Sequence, residues 1–497
     1  MNQSDLSINF FSKKGVPALP IGQLLLFLVL IGLCGPLILA TIEQASFITF
    51  CLFISASVVG LVLCRNMQIK LNDPALKVLG YFWLIKLVLL FFLLYVGWMP
   101  QLDPASANWG YDPQRFYVQA KELIDNNWLP DFLSLNYVGI LYYYGAIYYL
   151  IGFNPVIPAL INAFVTLIAS LYLIQVGYEI KAQRGSKDWT LAFALLLPEL
   201  LWFDVMTSRE TLMAALLMFA MLTAGRYFAR ISRISLFEVF SIISLSVLAI
   251  VAVRTSMLVP VFIAIGLMVI LIKNPKNPMN TQRTIIVTSV VAMLIIMPLL
   301  TKFFIGYNFN FVEALQTAFS AKDNVALGPD LSLGWSENSI GRLLMPEGIF
   351  QSVLFLPPRM VLYLLAPLPK IWIPVNDLID GNFEAWQNLM TLFSSLINVV
   401  AIPYATASLI HSIKTRMTNS ATLIFHISYW ITFIAIAGGN LIVHERYRIM
   451  ASLLLWGCAW LGWTNCPKKI INKMSFLWYG LLVLGSIFYL LFKFGLV

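Results

Sequence analysis

The chain has 497 residues, 60% of them hydrophobic and 11% charged, with a mean hydropathy of +0.83, whereas soluble domains carry about 25% charged residues. This excludes a soluble globular fold and predicts an all-α polytopic membrane protein. The formal net charge of +9 does not indicate a nucleic-acid surface, because Lys and Arg stand in twos and threes between apolar runs without aromatic interleaving, so they report topology and no nucleic-acid partner is expected.

The opening "MNQSDLSINFFSKKGVPALP" sets Lys13 and Lys14 ahead of an apolar stretch from Ile21 to Leu39. No small-residue cleavage site closes a short apolar core, which predicts an uncleaved first span and a cytoplasmic N-terminus. Runs of about 17 to 25 apolar residues are long enough to cross a bilayer. They fall near 20–41, 46–64, 76–98, 136–152, 155–179, 189–206, 210–226, 236–253, 256–272, 284–301, 351–368, 386–410, 420–438, 447–464 and 475–493.

Basic loops choose among these fifteen candidates. If 136–152 crossed, "KAQRGSK" (181–187), "RYFARISR" (226–233) and "KNPKNPMNTQR" (273–283) would all face outward, against the preference of Lys and Arg for the cytoplasm. A crossing at 351–368, with Pro357, Pro358 and Arg359, would likewise turn "HSIKTR" (411–416) outward. Treating both as interfacial or re-entrant leaves about thirteen spans, within a range of about 11 to 15.

The resulting plan has N-terminal spans in 1–98, a first large outer loop with an amphipathic helix and an aromatic interfacial segment in 99–152, and a central bundle in 153–301. A second large outer loop fills 302–385 and the C-terminal spans fill 386–497. Loops of this length exceed simple connectors and are expected to cap a cavity. Cys34, Cys51, Cys64 and Cys458 lie in apolar segments and Cys466 lies beside Lys468 and Lys469, so neither a disulfide framework nor a cysteine metal site is expected.

Ionisable groups at membrane depth are costly and therefore informative. Four clusters are expected at the outer ends of spans: Asp103 with Asp112; Asp204, Arg209 and Glu210; Arg254; and "HERYR", residues His444, Glu445, Arg446, Tyr447 and Arg448. Asp112 before Pro113 suits the start of a helix whose apolar stripe is Phe116, Ala120, Leu123 and Ile124. It equally suits a carboxylate held as a general base or cation ligand. Thr207 and Glu210 have the spacing of a capping box, and Arg209 either snorkels or meets an anion. "HERYR" fits interfacial anchoring, or a bidentate grip on phosphate by its two arginines.

Lys86 and Glu199 are the deepest charges. They could form a transport relay, but isolated groups of opposite sign are expected to pair or to turn into the bundle. His426 and Glu238 are expected to be satisfied by helix contacts. The six tyrosines of 136–152 fit an interfacial aromatic element or a stacking surface for a sugar.

The order of "YDPQRFYVQAKELI", "YYYGAIYYLIGFNPVIPALINAFVTLIASLYL", "LLLPELLWFDVMTSRETLMAALLMFAM" and "HERYRIMASLLLWGCAWLG" resembles the GT-C superfamily of membrane glycosyltransferases, in particular the bacterial aminoarabinose transferase and protein mannosyltransferase-like branch. The resemblance implies a polyprenyl-phosphate sugar donor used on the outer face of a bacterial inner membrane, a glycan or lipid acceptor, and a place in cell-surface polysaccharide or glycolipid synthesis. It implies that Asp112 is the essential acid of the first outer loop and that the "ERYR" arginines, Arg446 and Arg448, lie near the donor phosphate. Beside these, Asp103 is expected to support Asp112, Arg209 and Arg254 are further candidates for the phosphate, and Glu210, His444 and Glu445 are expected in support. No cofactor is fixed, and a divalent metal fits the acids equally. Three spans precede Asp112, where the family places its acidic loop after the first, and Ile449 and Met450 follow the late arginines, where many members have proline. Two rival readings are a polymerase or ligase of surface polysaccharide and a lipid or polysaccharide transporter.

Overall fold

The computed structural model describes residues 74–93, 112–129, 138–151, 153, 156–181, 188–206, 208–231, 234–272, 349–365, 374–415, 420–439 and 445–493. All of them lie within one compact unit, Asn72–Val497. The spans expected at 20–41, 46–64 and 284–301 fall outside the described residues, as does most of the second outer loop. Every regular element among the described residues is helical.

In chain order the α-helices are α1 (Pro74–Leu93), α2 (Asp112–Asp125), α3 (Val138–Ile151), α4 (Val156–Ile180), α5 (Pro198–Val205), α6 (Glu210–Ala229), α7 (Leu236–Arg254), α8 (Leu258–Leu271), α9 (Ile349–Leu365), α10 (Val375–Ile379), α11 (Phe383–Lys414), α12 (Leu423–Gly439), α13 (Ile449–Asn465) and α14 (Lys468–Lys493). A nine-residue 3₁₀ segment, Asp188–Leu196, precedes α5, and a 3₁₀ turn, Glu445–Arg448, leads into α13. Among the described residues six helical stretches are long and apolar enough to cross a membrane, five lying within α4, α6, α7, α11 and α14 and one, Ser420–Gly438, made of a 3₁₀ turn and α12, and shorter apolar helices occupy parts of α1, α8 and α9.

The amphipathic reading of 112–125 holds. Phe116, Ala120 and Leu123 of α2 are buried, while Lys121, Glu122 and Asp125 are exposed. The buried stripe packs on α3. Asn127 and Trp128 then turn the chain through the left-handed region at φ 53° and 65°, an uncommon backbone for a side chain as bulky as Trp. The Tyr142 hydroxyl donates to the Trp128 carbonyl at 2.7 Å, and the two rings stack with centroids 6.1 Å apart, which holds that turn. At 14 residues, α3 would extend only about 21 Å, short of the roughly 30 Å hydrocarbon core.

The stretch expected to be one span at 189–206 is instead broken. The 3₁₀ segment ends at Leu196, Leu197 is extended (φ −57°, ψ 122°), and α5 begins with Pro198. Proline explains the break: its ring bars the preceding residue from helical geometry, and its missing N–H is harmless at the first helical position. Runs of 3₁₀ beyond three or four residues are uncommon. This one is embedded between α1, α4 and α13, with Asp188, Leu191 and Ala194 buried at three-residue spacing.

Around that break the bundle is tight. Helix α6 is buried on nearly every side, as is α13 through Gly462. A Cβ at Gly462 would fall 2.2 Å from the Tyr404 carbonyl oxygen of α11, so the bare glycine sets how closely α11 and α13 approach, as small residues do where helix backbones meet in membranes. Gly139 does the same for α3 against Ala252 of α7, again at 2.2 Å. Helix α14 is peripheral: its apolar residues Phe476, Leu481, Val483 and Leu484 are exposed.

A candidate polar site at one end of the bundle

Helices α6 and α7 pack side by side and are joined by the short connection 230–235, so they run antiparallel and Glu210 and Arg254 fall at the same end. The Arg254 guanidinium lies over the Tyr447 ring, 4.5 Å from its centroid. That contact brings the "ERYR" turn to the same end. Two of the four sequence clusters therefore touch.

The Asp204 cluster joins them through α4. Asp204, in the last turn of α5, forms an ion pair with Lys86 of α1, both side chains fully buried. The Thr166 hydroxyl donates to Asp204 Oδ1 at 2.8 Å. Asn162 Nδ2 donates to the Tyr144 hydroxyl at 3.1 Å, and Tyr144 in turn donates to the Ser208 carbonyl at 2.9 Å. Next in sequence, Arg209 Nε lies 3.8 Å from Glu210 Oε1, with both side chains buried.

Glu210 is the first residue of α6 and Arg209 its N-cap, without a side-chain cap bond. The capping box expected from Thr207 requires Glu210 at the third helical position, which is not where it sits; Thr207 itself lies outside the described residues. A capping box does form one helix later, where Ser235 N–H donates to Glu238 Oε2 at 2.8 Å and Glu238 N–H donates to Ser235 Oγ at 3.1 Å.

Arg448 requires a correction. Expected at a donor phosphate, it is buried and held from several sides. Its Nε donates to Glu199 Oε2 at 2.7 Å, Nη1 to Ser395 Oγ at 2.8 Å and to the Tyr363 carbonyl at 3.2 Å, and Nη2 to the Thr391 carbonyl at 2.7 Å. Ser452 donates to the other Glu199 oxygen. The Glu199 N–H is one of the first-turn donors that no helical carbonyl can satisfy, and it donates to Ser394 Oγ at 2.9 Å. One guanidinium thus ties the start of α13 to α5, α9 and α11. Its planar fork suits such a many-sided grip, and a group so engaged is a structural tie rather than a headgroup contact.

Lys86 and Glu199 do pair, though not with each other. Lys86 takes Asp204 near the end of α5, and Glu199 near its start takes Arg448, so the short helix is fixed by a buried ion pair at each end. His426 is satisfied in part: its Nε2 hydrogen-bonds with the Ser408 hydroxyl at 2.7 Å, while its buried Nδ1 has no partner among the described residues.

The opposite end of the bundle has its own pairs. Glu179, near the end of α4, accepts from Arg226 Nε and Nη2 at 2.6 Å each, and Lys181 pairs with Asp188 at 2.8 Å.

Asp103 and His444 lie outside the described residues, and the side chains of Asp112, Glu445 and Arg446 are likewise not described. Asp112 is located as the first residue of α2. The sequence reading missed Asn162, Thr166 and Tyr144 as members of the polar network. Asn162, Thr166 and Ser170 recur at four-residue spacing on an otherwise apolar helix and are all buried, which is a readable signal. Among the described residues no three His, Cys, Asp or Glu side chains gather to hold a metal ion.

Comparisons with protein-family models, with curated proteins and with solved structures find no match to this chain.

Proposed function

We propose that this protein is an integral-membrane glycosyltransferase that moves a sugar from a polyprenyl-phosphate-linked donor to a glycan or lipid acceptor at the outer face of a bacterial inner membrane. The observation that carries the reading is the meeting of Arg254 with Tyr447 at the end of the bundle that also holds Arg209 and Glu210. An anionic lipid head needs cations at one membrane face, and residues far apart in sequence supply them there.

In the proposed reaction an acceptor hydroxyl gives its proton to Asp112, its oxygen forms a bond to the anomeric carbon, and the bond from that carbon to the phosphate oxygen breaks. The phosphate leaves with the bonding electron pair. Arg209, Arg254 and Arg446 stabilise that developing charge with Glu210, His444 and Glu445 in support, Asp103 supports Asp112, and Arg448 holds the turn in place from within.

Purified protein in lipid nanodiscs, given a polyprenyl-phosphate sugar and acceptor, is expected to release the lipid phosphate. Asp112→Asn should abolish release while the protein still folds and inserts. Undiminished turnover by that variant would remove Asp112 from the reaction.

One specific observation favours a second reading, a carrier of lipid or polysaccharide: a broken helix with buried ion pairs at both its ends recurs where transporters bind their cargo. Movement of the intact lipid-linked sugar across vesicles without cleavage would select it.

A further inference from the structure

A small cavity adjoins the Glu199–Arg448 pair, lined by Leu364, Asn398, Tyr429, Phe433, Arg448 and Ser452 among others. One of its polar walls is unspent. The Tyr429 hydroxyl is buried and has no hydrogen-bond partner among the described residues, although it lies within electrostatic reach of Glu199 and Arg448. Asn398, 5% exposed, lines the same space. A buried hydroxyl left unmade costs about 1 to 3 kcal/mol, so its occurrence beside a cavity points to an occupant.

We infer that this cavity is a binding site for one water molecule, held between Asn398, Tyr429 and Ser452 and completing the buried Glu199–Arg448 centre. Hydrogen-bond counting selects water. The site must accept from the Tyr429 hydroxyl and from the Asn398 amide, and donate to the Asn398 carbonyl and to Ser452 Oγ, whose own hydrogen goes to Glu199. A molecule with two donors and two acceptors meets all four demands, and a buried water has the same two to four polar partners. An anion could not donate to Asn398 or Ser452 and would face Glu199; a cation would face Arg448. The space open to the centre of a water-sized molecule is about 10 Å³, room for one water, which excludes a sugar or a phosphate. The bound water joins α11, α12 and α13 to the carboxylate at the start of α5, and this role is independent of the reaction proposed above.

The sign of one substitution tests the inference. If water holds the Tyr429 hydroxyl, Tyr429→Phe should lower the melting temperature of the full-length protein in nanodiscs by roughly 2 °C or more. If the hydroxyl is merely unsatisfied, its removal should leave the melting temperature unchanged or raise it, which would overturn the inference. Asn398→Leu, which fills the space, should lower the melting temperature too, and the double variant should lose less than the two single losses together, since both act through one water. A cryo-EM map that resolves waters elsewhere should show a peak within about 3.2 Å of Tyr429 Oη and of the Asn398 side chain. A peak absent from such a map would overturn the site whatever the melting data.

Discussion

At the scale of single residues, the deep charges behave as the physics of a low-dielectric interior requires, but the identity of each partner was hidden. Lys86 at depth demands a counter-charge, and nothing in an apolar sequence indicates that it is Asp204, more than a hundred positions away. Glu199 and Arg448 are further apart still. Periodicity tells which residues are inside; it does not tell which two inside residues meet. Such pairs are asymmetric in their energetics: removing one partner strands the other and costs about 3 to 5 kcal/mol, whereas replacing both by apolar groups of similar volume is often neutral or stabilising. Lys86→Met alone should therefore sharply lower the melting temperature in nanodiscs, and the double variant Lys86→Met with Asp204→Leu should recover most of the loss. Arg448→Lys keeps the charge but not the planar fork that reaches Glu199, Ser395 and the Thr391 carbonyl together. It should fall well short of wild-type stability in the same melt.

At the scale of elements, α2 was legible because its polar and apolar residues alternate at helical period, and the buried stripe is the one the sequence indicates. The break at Leu197–Pro198 was not read, although Pro198 is plainly its cause, because an apolar run of 18 residues satisfies the length rule for a span whether or not its backbone is continuous. Close helix approaches were equally hidden: a glycine in an apolar helix does not announce what faces it. Gly462→Ala inserts a methyl group against the Tyr404 backbone and should cost about 1 to 3 kcal/mol, measured as loss of thermal stability. Gly480→Ala, on the peripheral helix α14 and with nothing within 4 Å of the added carbon, should cost nothing and serves as the control. Ser235→Ala removes half of the capping box at the start of α7 and should cost about 1 kcal/mol.

At the scale of the whole molecule, the polar side chains sort to two ends. Asn162 and Glu179 stand at opposite ends of α4, about 25 Å apart at 1.5 Å per residue, and each belongs to the network of its own end. Single cysteines placed at Arg254, only partly buried at that end, and at Lys181, in a background without the five native cysteines, should therefore react with a membrane-impermeant thiol reagent from opposite sides of sealed vesicles. Labelling of both from one side would contradict this two-ended arrangement and remove the support for a lipid-phosphate site at the Arg254 end. The sequence exposed this polarity through its basic loops, while the convergence of α4, α5, α6 and the 445–448 turn depended on packing that no local pattern encodes. The unusual backbone of residues 188–205 also bears on reach. A 3₁₀ stretch rises about 2.0 Å per residue against 1.5 Å for α-helix, so nine residues of the first followed by eight of the second extend up to about 30 Å, the thickness of a hydrocarbon core. Over-wound backbone thus gives these residues a longer reach than they would have as continuous α-helix, with the ion-paired Asp188 and Asp204 near its two ends.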